Sequence, residues 1–141
     1  MNYENCCGII PFYIVNGEPF FVLVKSNNGF FGFPKGHVEG NETELETALR
    51  ECKEETNLSP KIIDGFREEI SYHMVEFDIY KKEVFFAGVI KDLSYKKQES
   101  EIADILLLSY GDAMKTLSFN DTKGVLQKAK NFFDNNKTKF K

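Results

Sequence analysis

The sequence is poor in the residue types that define several protein classes. It has three cysteines, two histidines and no tryptophan. The cysteines show no Cys-x-x-Cys or mixed Cys/His spacing, which argues against a disulfide framework and against a zinc site. Cys6 and Cys7 stand together in an apolar run, a pattern that indicates buried thiols in a reducing, cytoplasmic environment.

Long apolar segments and excess positive charge are also missing. No run approaches the roughly 18 apolar residues of a membrane span, and the N-terminal MNYENCCGII lacks the basic region of a signal peptide. The net charge of −4 gives no general affinity for nucleic acid or anionic membranes. We therefore expect neither a membrane nor a long nucleic acid as partner. The 141 residues suit one domain, residues 1–141, acting as a monomer.

The residue patterns predict an α+β fold with a mixed central β-sheet covered by helices. Strands are predicted at 6–15, 20–25, 61–66, 68–75, 83–90 and 104–109. Besides a helix ending near Asn57, helices are predicted at 110–117 and 122–133, the last with Asn120 or Asp121 as its N-cap.

The segment ALRECKEETN, ending at Asn57, carries an unusual charge pattern. At about 100° per residue, a helix places Glu51, Glu54 and Glu55 on one stripe, and apolar side chains on the opposite face. Like charges three or four residues apart destabilise a helix by roughly 0.2–0.5 kcal/mol per pair, and carboxylates are disfavoured near a helix C-terminus. A divalent cation would remove this conflict, and clustered oxygen ligands suit Mg²⁺, Mn²⁺ or Ca²⁺.

The spacing around this helix matches a known motif. From Gly36 to Leu58 the pattern reads Gly-x5-Glu-x7-Arg-Glu-Cys-x-Glu-Glu-x-Asn-Leu. This resembles the Nudix box, which has glycine where this chain has Asn57. That position follows the helix and favours a left-handed residue, for which asparagine is the usual substitute. The resemblance implies an α/β/α sandwich and a role for Glu42 in orienting the loop and the helix start.

The resemblance also implies a metal site and a set of catalytic residues. Mg²⁺, or Mn²⁺ in its place, would be held by Glu51 and Glu55, with the Gly36 carbonyl as a third ligand. Glu54 is implied either as ligand of a second ion or as general base, and the sequence leaves these alternatives open. Arg50 is expected to fix Glu54 through an ion pair one helical turn away.

Beyond the box, the chain is similar to the animal-type diadenosine tetraphosphate hydrolases. PKGHVEGNETELETALRECKEETNL, DGFREEISY and LLLSYGDAMKTLSFNDTKGVL carry this resemblance. It implies that Lys35, His37 and Lys82 face a polyphosphate, that Phe86 lies near adenine, and that Glu101 completes the metal site.

The implied activity is Mg²⁺-dependent hydrolysis of a dinucleoside polyphosphate, in the simplest case diadenosine tetraphosphate to ATP and AMP. Leu107 replaces a tryptophan common in the subfamily, and a histidine usual near Glu101 is missing, which leaves the substrate open. One alternative is a pyrophosphohydrolase acting on nucleoside triphosphates, diphosphoinositol phosphates or RNA 5′ ends. Another is a binding module that senses nucleotides without cleaving them, although such modules typically lose the box carboxylates that this chain retains.

Overall fold

The computed structural model describes residues 2–141, which form one mixed sheet of seven strands with three α-helices. The strands are β1 (Asn2–Val15), β2 (Glu18–Ser26), β3 (Phe31–Gly32), β4 (Lys35–His37), β5 (Lys61–Met74), β6 (Ile79–Val89) and β7 (Ile102–Ser109). The helices are α1 (Glu44–Thr56), α2 (Tyr110–Thr116) and α3 (Asn120–Asn135), with 3₁₀ turns at Val75–Phe77 and Lys137–Phe140.

Strand β1 is the central strand of the sheet. It pairs in parallel with β6 along one side. Along the other side it pairs with β4 from Cys6 to Gly8 and with β2 from Phe12 to Val15. This change of partner places the short strand β4 beside the N-terminal half of β1. The C-terminal part of α1 contacts β4 at the same place.

Helices cover both faces of the sheet, which confirms the predicted α/β/α sandwich. Alternation along β1 sends Cys7 and Ile9 into a core shared with α1. Ile10 and Phe12 point the other way, into a larger core shared with α2 and α3. Within residues 2–141, no helix is both long enough and apolar enough to cross a membrane.

Helix α1 has a defined cap at each end. Thr43 accepts a hydrogen bond from the Glu46 backbone N–H, and the Glu46 side chain accepts one from Thr43 in return, which completes a capping box. Asn57 ends the helix in the left-handed conformation, with φ of 65°. The interpretation of Asn57 as a substitute for glycine is therefore confirmed.

Several predicted boundaries are wrong, and the short strands β3 and β4 were not predicted. Residues 61–74 form one strand rather than two, because a bulge between Ile63 and Arg67 accommodates Gly65, whose φ is +105°. Strand β6 begins at Ile79, four residues before its predicted start at residue 83. Helix α3 has Phe119 as its N-cap, with no side-chain hydrogen bond at that end.

Candidate active site

A cleft of about 610 Å³ lies where the end of α1 meets β4 and the start of β7. It gathers most of the residues predicted for the site: Lys35, Gly36, His37, Glu51, Glu54, Glu55 and Glu101. These residues come from three separate parts of the chain. The periodicity of α1 supplies the three clustered glutamates, and sheet pairing supplies the others.

Arg50 lies at the centre of a carboxylate network beside this cleft. Its guanidinium donates to Glu51 at 2.8 Å and to Glu54 at 3.2 Å, so the predicted pair with Glu54 is present. Its shortest hydrogen bond runs from Nε to one carboxylate oxygen of Glu42, at 2.6 Å. A second nitrogen, Nη2, donates to the other Glu42 oxygen at 3.0 Å. The same side chain donates to the backbone carbonyl of His37 at 3.0 Å. Arg50 therefore fixes the loop before α1 as well as two of the glutamates.

Glu42 anchors the loop to the helix start, as its predicted orienting role requires. Its carboxylate accepts hydrogen bonds from Arg50, from the Glu39 backbone N–H at 3.0 Å and from the Thr47 hydroxyl at 3.0 Å. The hydrogen bonds from Arg50 and from the Glu39 backbone lower the pKa of Glu42 to about 2. Glu42 is therefore ionised at neutral pH.

Strand β4 places backbone directly against the Glu51 carboxylate. A side-chain carbon added at Gly36 would overlap Cδ and both carboxylate oxygens of Glu51. Only glycine permits this close approach without displacing the carboxylate. The requirement for glycine at the first position of the box therefore has a steric cause.

Glu51 and Glu55 are buried carboxylates, and the charge of Glu51 acts on Glu55. Burial, the charge of Glu51 and the charge of Glu101 raise the pKa of Glu55 to about 8, against opposition from Lys35, whose backbone N–H donates to Glu55 at 3.3 Å. Burial also raises the pKa of Glu51, although hydrogen bonding to Arg50 opposes the shift. The carboxylates of Glu51, Glu55 and Glu101 thus repel one another. A hard divalent cation that binds such oxygen ligands would remove this repulsion.

The residues present therefore fit a divalent cation held mainly by Glu51 and Glu55, with Glu54 and Glu101 within the same cleft. In the described part of the chain, no three acidic, histidine or cysteine side chains are already arranged so that they could hold a metal ion by themselves. A cation here would complete its coordination with water and backbone carbonyl oxygen, as Mg²⁺ commonly does.

Because a carboxylate must ionise to hold a metal, binding of a divalent cation at pH 7 is expected to release about one proton from Glu55. Titration calorimetry with Mn²⁺ in two buffers of different ionisation enthalpy measures this release. It should vanish well above the Glu55 pKa of about 8. Binding heats that do not depend on the buffer at pH 7 would contradict the expected displacement.

The same shift predicts how the metal-free protein responds to pH. Glu55 binds its proton more tightly in the folded state, since its pKa rises from an ordinary 4.5 to about 8. Its contribution to the free energy of unfolding is present at low pH and is lost as the pH rises from about 4.5 to about 8. A saturating divalent cation should reverse the trend, and thermal melts at pH 6 and pH 8 with and without Mn²⁺ test both statements.

Lys35 and His37 both line the cleft, where the resemblance places them. The Lys35 ammonium lies 3.4 Å from the Glu83 carboxylate. The His37 Nε2 lies 3.2 Å from the Glu4 carboxylate. Both side chains already contact an acidic partner from β1 or β6.

Lys82 and Phe86 do not line this cleft, and their assignment as substrate contacts stays a prediction. Side chains alternate along β6, and both residues point to the α1 face. Lys82 lies 3.8 Å from Glu44 near the start of α1, and Phe86 packs against the core that α1 covers. Lys81, one residue before Lys82, lines the cleft together with Lys35.

The sequence patterns did not predict a buried contact between Glu83 and Tyr72 close to the cleft. Glu83 is only 4% exposed, and it accepts a hydrogen bond of 2.9 Å from the Tyr72 hydroxyl. The period-2 alternation of Lys81 and Glu83 was the available signal, because it places both side chains on one face of β6.

Comparison with known proteins agrees with this geometry. The NUDIX domain profile matches residues 8–129. The asymmetrical bis(5'-nucleosyl)-tetraphosphatase of Sus scrofa is 33% identical over 138 residues, covering 89% of this chain and 92% of that protein. The protein of the same name from Mus musculus is 31% identical, with the same coverage. A C. elegans Ap4A hydrolase in a binary complex shares the fold, with a TM-score of 0.81 at 22% identity over 94% of this chain and 98% of that one. The chain belongs to the NUDIX domain family.

Proposed function

We propose that this protein hydrolyses a phosphoanhydride bond in dinucleoside polyphosphates, foremost diadenosine tetraphosphate to ATP and AMP. The observation that carries the proposal is a single cleft. It is lined by Glu51, Glu54 and Glu55 of α1 together with Lys35 and Lys81. The names of the Sus scrofa and Mus musculus relatives support this choice of substrate class.

The proposed cofactor is Mg²⁺, for which Mn²⁺ can substitute. Nudix hydrolases generally need a divalent metal, and the residues that would hold it are Glu51 and Glu55, with the Gly36 carbonyl, Glu54 and Glu101 as further ligands. When bound, the ion supplies neutralisation of phosphate charge and a lowered pKa for water.

The side chains of this protein then have separate roles in the reaction. Glu54 accepts the proton of the attacking water, whose oxygen bonds to phosphorus as the phosphoanhydride P–O bond breaks. Arg50 holds Glu54 and Glu51 in place through its own nitrogens. Lys35 and Lys81 offset the negative charge of the polyphosphate, which His37 also faces. Glu54 suits proton transfer because its side chain is 46% exposed and therefore accessible to water, whereas that of Glu51 is only 12% exposed.

The test is product identification by chromatography. Purified protein with Mg²⁺ is incubated with diadenosine polyphosphates, nucleoside triphosphates, a diphosphoinositol phosphate and capped RNA. Release of ATP together with AMP from diadenosine tetraphosphate is the expected result, and EDTA should abolish it until Mg²⁺ is restored. Faster conversion of a triphosphate to monophosphate and pyrophosphate would assign the protein to the alternative class, and tight binding without turnover would make it a nucleotide sensor.

We further propose that residues 1–141 act as a single-domain monomer in the cytoplasm. The three cysteines Cys6, Cys7 and Cys52 are free, buried thiols, which supports a reducing compartment. Light scattering of the purified protein tests the monomer, since a dimer would double the mass of 16.2 kDa.

A further inference from the structure

Glu83 is a buried carboxylate that lies behind two lysines of the cleft lining. Three groups converge on one oxygen of Glu83, its Oε2. The Tyr72 hydroxyl donates at 2.9 Å, the Lys35 ammonium lies at 3.4 Å and the Lys81 ammonium at 4.0 Å. The Glu83 side chain is only 5% exposed, so without these partners its charge would be strongly destabilising there.

Strand pairing explains why these groups meet. Lys81 and Glu83 lie two residues apart on β6 and so share a face. Tyr72 of β5 is the register partner of Lys81. Cys6 of β1 is the register partner of both Glu83 and His37, which brings β4 and its Lys35 alongside. The cluster is therefore built into four neighbouring strands.

Tyr72 acts as a hydrogen-bond donor to Glu83 at physiological pH. Burial, together with the negative charge of Glu83, raises the pKa of the Tyr72 phenol above its ordinary value. The phenol keeps its proton and continues to donate to Glu83, so one site on the carboxylate oxygen is occupied without using a lysine.

Lys35 and Lys81 line the cleft, whereas Glu83 does not. Lys35 and Lys81 are held near Glu83 as ion pairs, and each ammonium group carries three N–H donors, so donors remain for another acceptor. Holding a long lysine side chain still costs conformational entropy, and a partner already present in the free protein removes that cost from the binding step.

We infer that Glu83 is a positioning residue: it holds the Lys35 and Lys81 ammonium groups in the cleft, ready for the phosphates of the substrate, without touching substrate itself. The inference rests on the proposed function, because it assigns a role within the same substrate site. Two ammonium groups share one carboxylate, so the wall keeps a net positive charge toward a polyanion. Orientation of the lysines, rather than repulsion by Glu83, then dominates the effect on binding.

The test is the steady-state kinetics of Glu83→Gln on diadenosine tetraphosphate. Glutamine preserves the volume and can still accept from Tyr72, but it lacks the charge that holds the lysines. We expect KM to rise about 5- to 20-fold, the range for losing a charge-assisted contact, with kcat within about twofold of wild type. Glu68→Gln is the matched control, because it removes one carboxylate paired with a lysine, Lys128 at 3.3 Å, outside the cleft. Its KM should equal that of the wild type.

A double-mutant cycle separates positioning from a structural role. In a Lys81→Met background the KM penalty of Glu83→Gln should shrink, since one of the two lysines that it positions is gone. An undiminished penalty in that background, or an unchanged or lower KM for Glu83→Gln alone, would overturn the inference. If Glu83→Gln does not fold, Glu83→Asp replaces it, because aspartate keeps the charge on a side chain shorter by one methylene. We then expect an intermediate rise in KM. An unchanged KM for Glu83→Asp would overturn the inference.

Failure of this inference is distinguishable from failure of the proposed function. If neither the wild type nor Glu68→Gln hydrolyses the dinucleotide, the proposed function fails. If both hydrolyse it and Glu83→Gln does so with the same KM, only the role of Glu83 fails.

Discussion

Replacing Glu54 with glutamine is expected to lower turnover by about 10²- to 10⁴-fold, the range typical for removing a general base. Glutamine keeps the shape and the hydrogen bond from Arg50, but it cannot accept a proton from water. The fold should be unaffected, because the Glu54 side chain is 46% exposed and contributes no core packing. The measurement is kcat for diadenosine tetraphosphate at saturating Mg²⁺, so that weaker metal binding does not contribute.

Glu76→Gln provides the control for this substitution. Glu76 is exposed in the turn between β5 and β6, outside the cleft, so removing its charge should leave kcat unchanged. A Glu54→Gln enzyme that retains most of its turnover would place the base elsewhere, and Glu51 and Glu101 would be the next candidates to replace.

Gly36→Ala is expected to weaken binding of the divalent cation by about 10- to 100-fold, the loss typical when the support of a ligand is disturbed. The added methyl group would occupy the space of the Glu51 carboxylate, which must rotate away from β4. Turnover at limiting Mg²⁺ should fall in parallel and recover in part at high Mg²⁺. Mn²⁺ titration monitored by electron paramagnetic resonance measures the affinity without depending on activity.

Gly111→Ala is the matched glycine substitution. A methyl group at Gly111 on α2 meets no atom within 4 Å, so metal affinity should remain that of the wild type. If Gly36→Ala binds Mn²⁺ as tightly as Gly111→Ala does, then the contact between β4 and Glu51 does not support the metal site.

Local patterns were sufficient to predict the part of the site carried by α1. The helical period alone groups Glu51, Glu54 and Glu55, and the end of the helix requires the left-handed conformation that Asn57 adopts. The sequence also predicted the layered α+β architecture, because alternating apolar strands need helices on both faces. These features depend on neighbours within a few residues.

Features that the sequence did not predict depend on contacts between distant segments. Successive side chains of a strand point to opposite faces, so Lys81 lines the cleft and the neighbouring Lys82 does not. Two partners of Glu83, Lys35 and Tyr72, come from β4 and β5, so the alternation along β6 could not by itself predict that Glu83 is buried. The principal partner of Arg50 is Glu42, eight residues earlier, across the turn before the helix.

Anomalous diffraction from crystals grown with Mn²⁺ tests the central claim most directly. The account predicts a manganese peak in the cleft, bonded to carboxylate oxygens of Glu51 and Glu55 and lying beside Glu54. Crystals in which these three side chains point apart into solvent, with no manganese between them at saturating concentration, would contradict it.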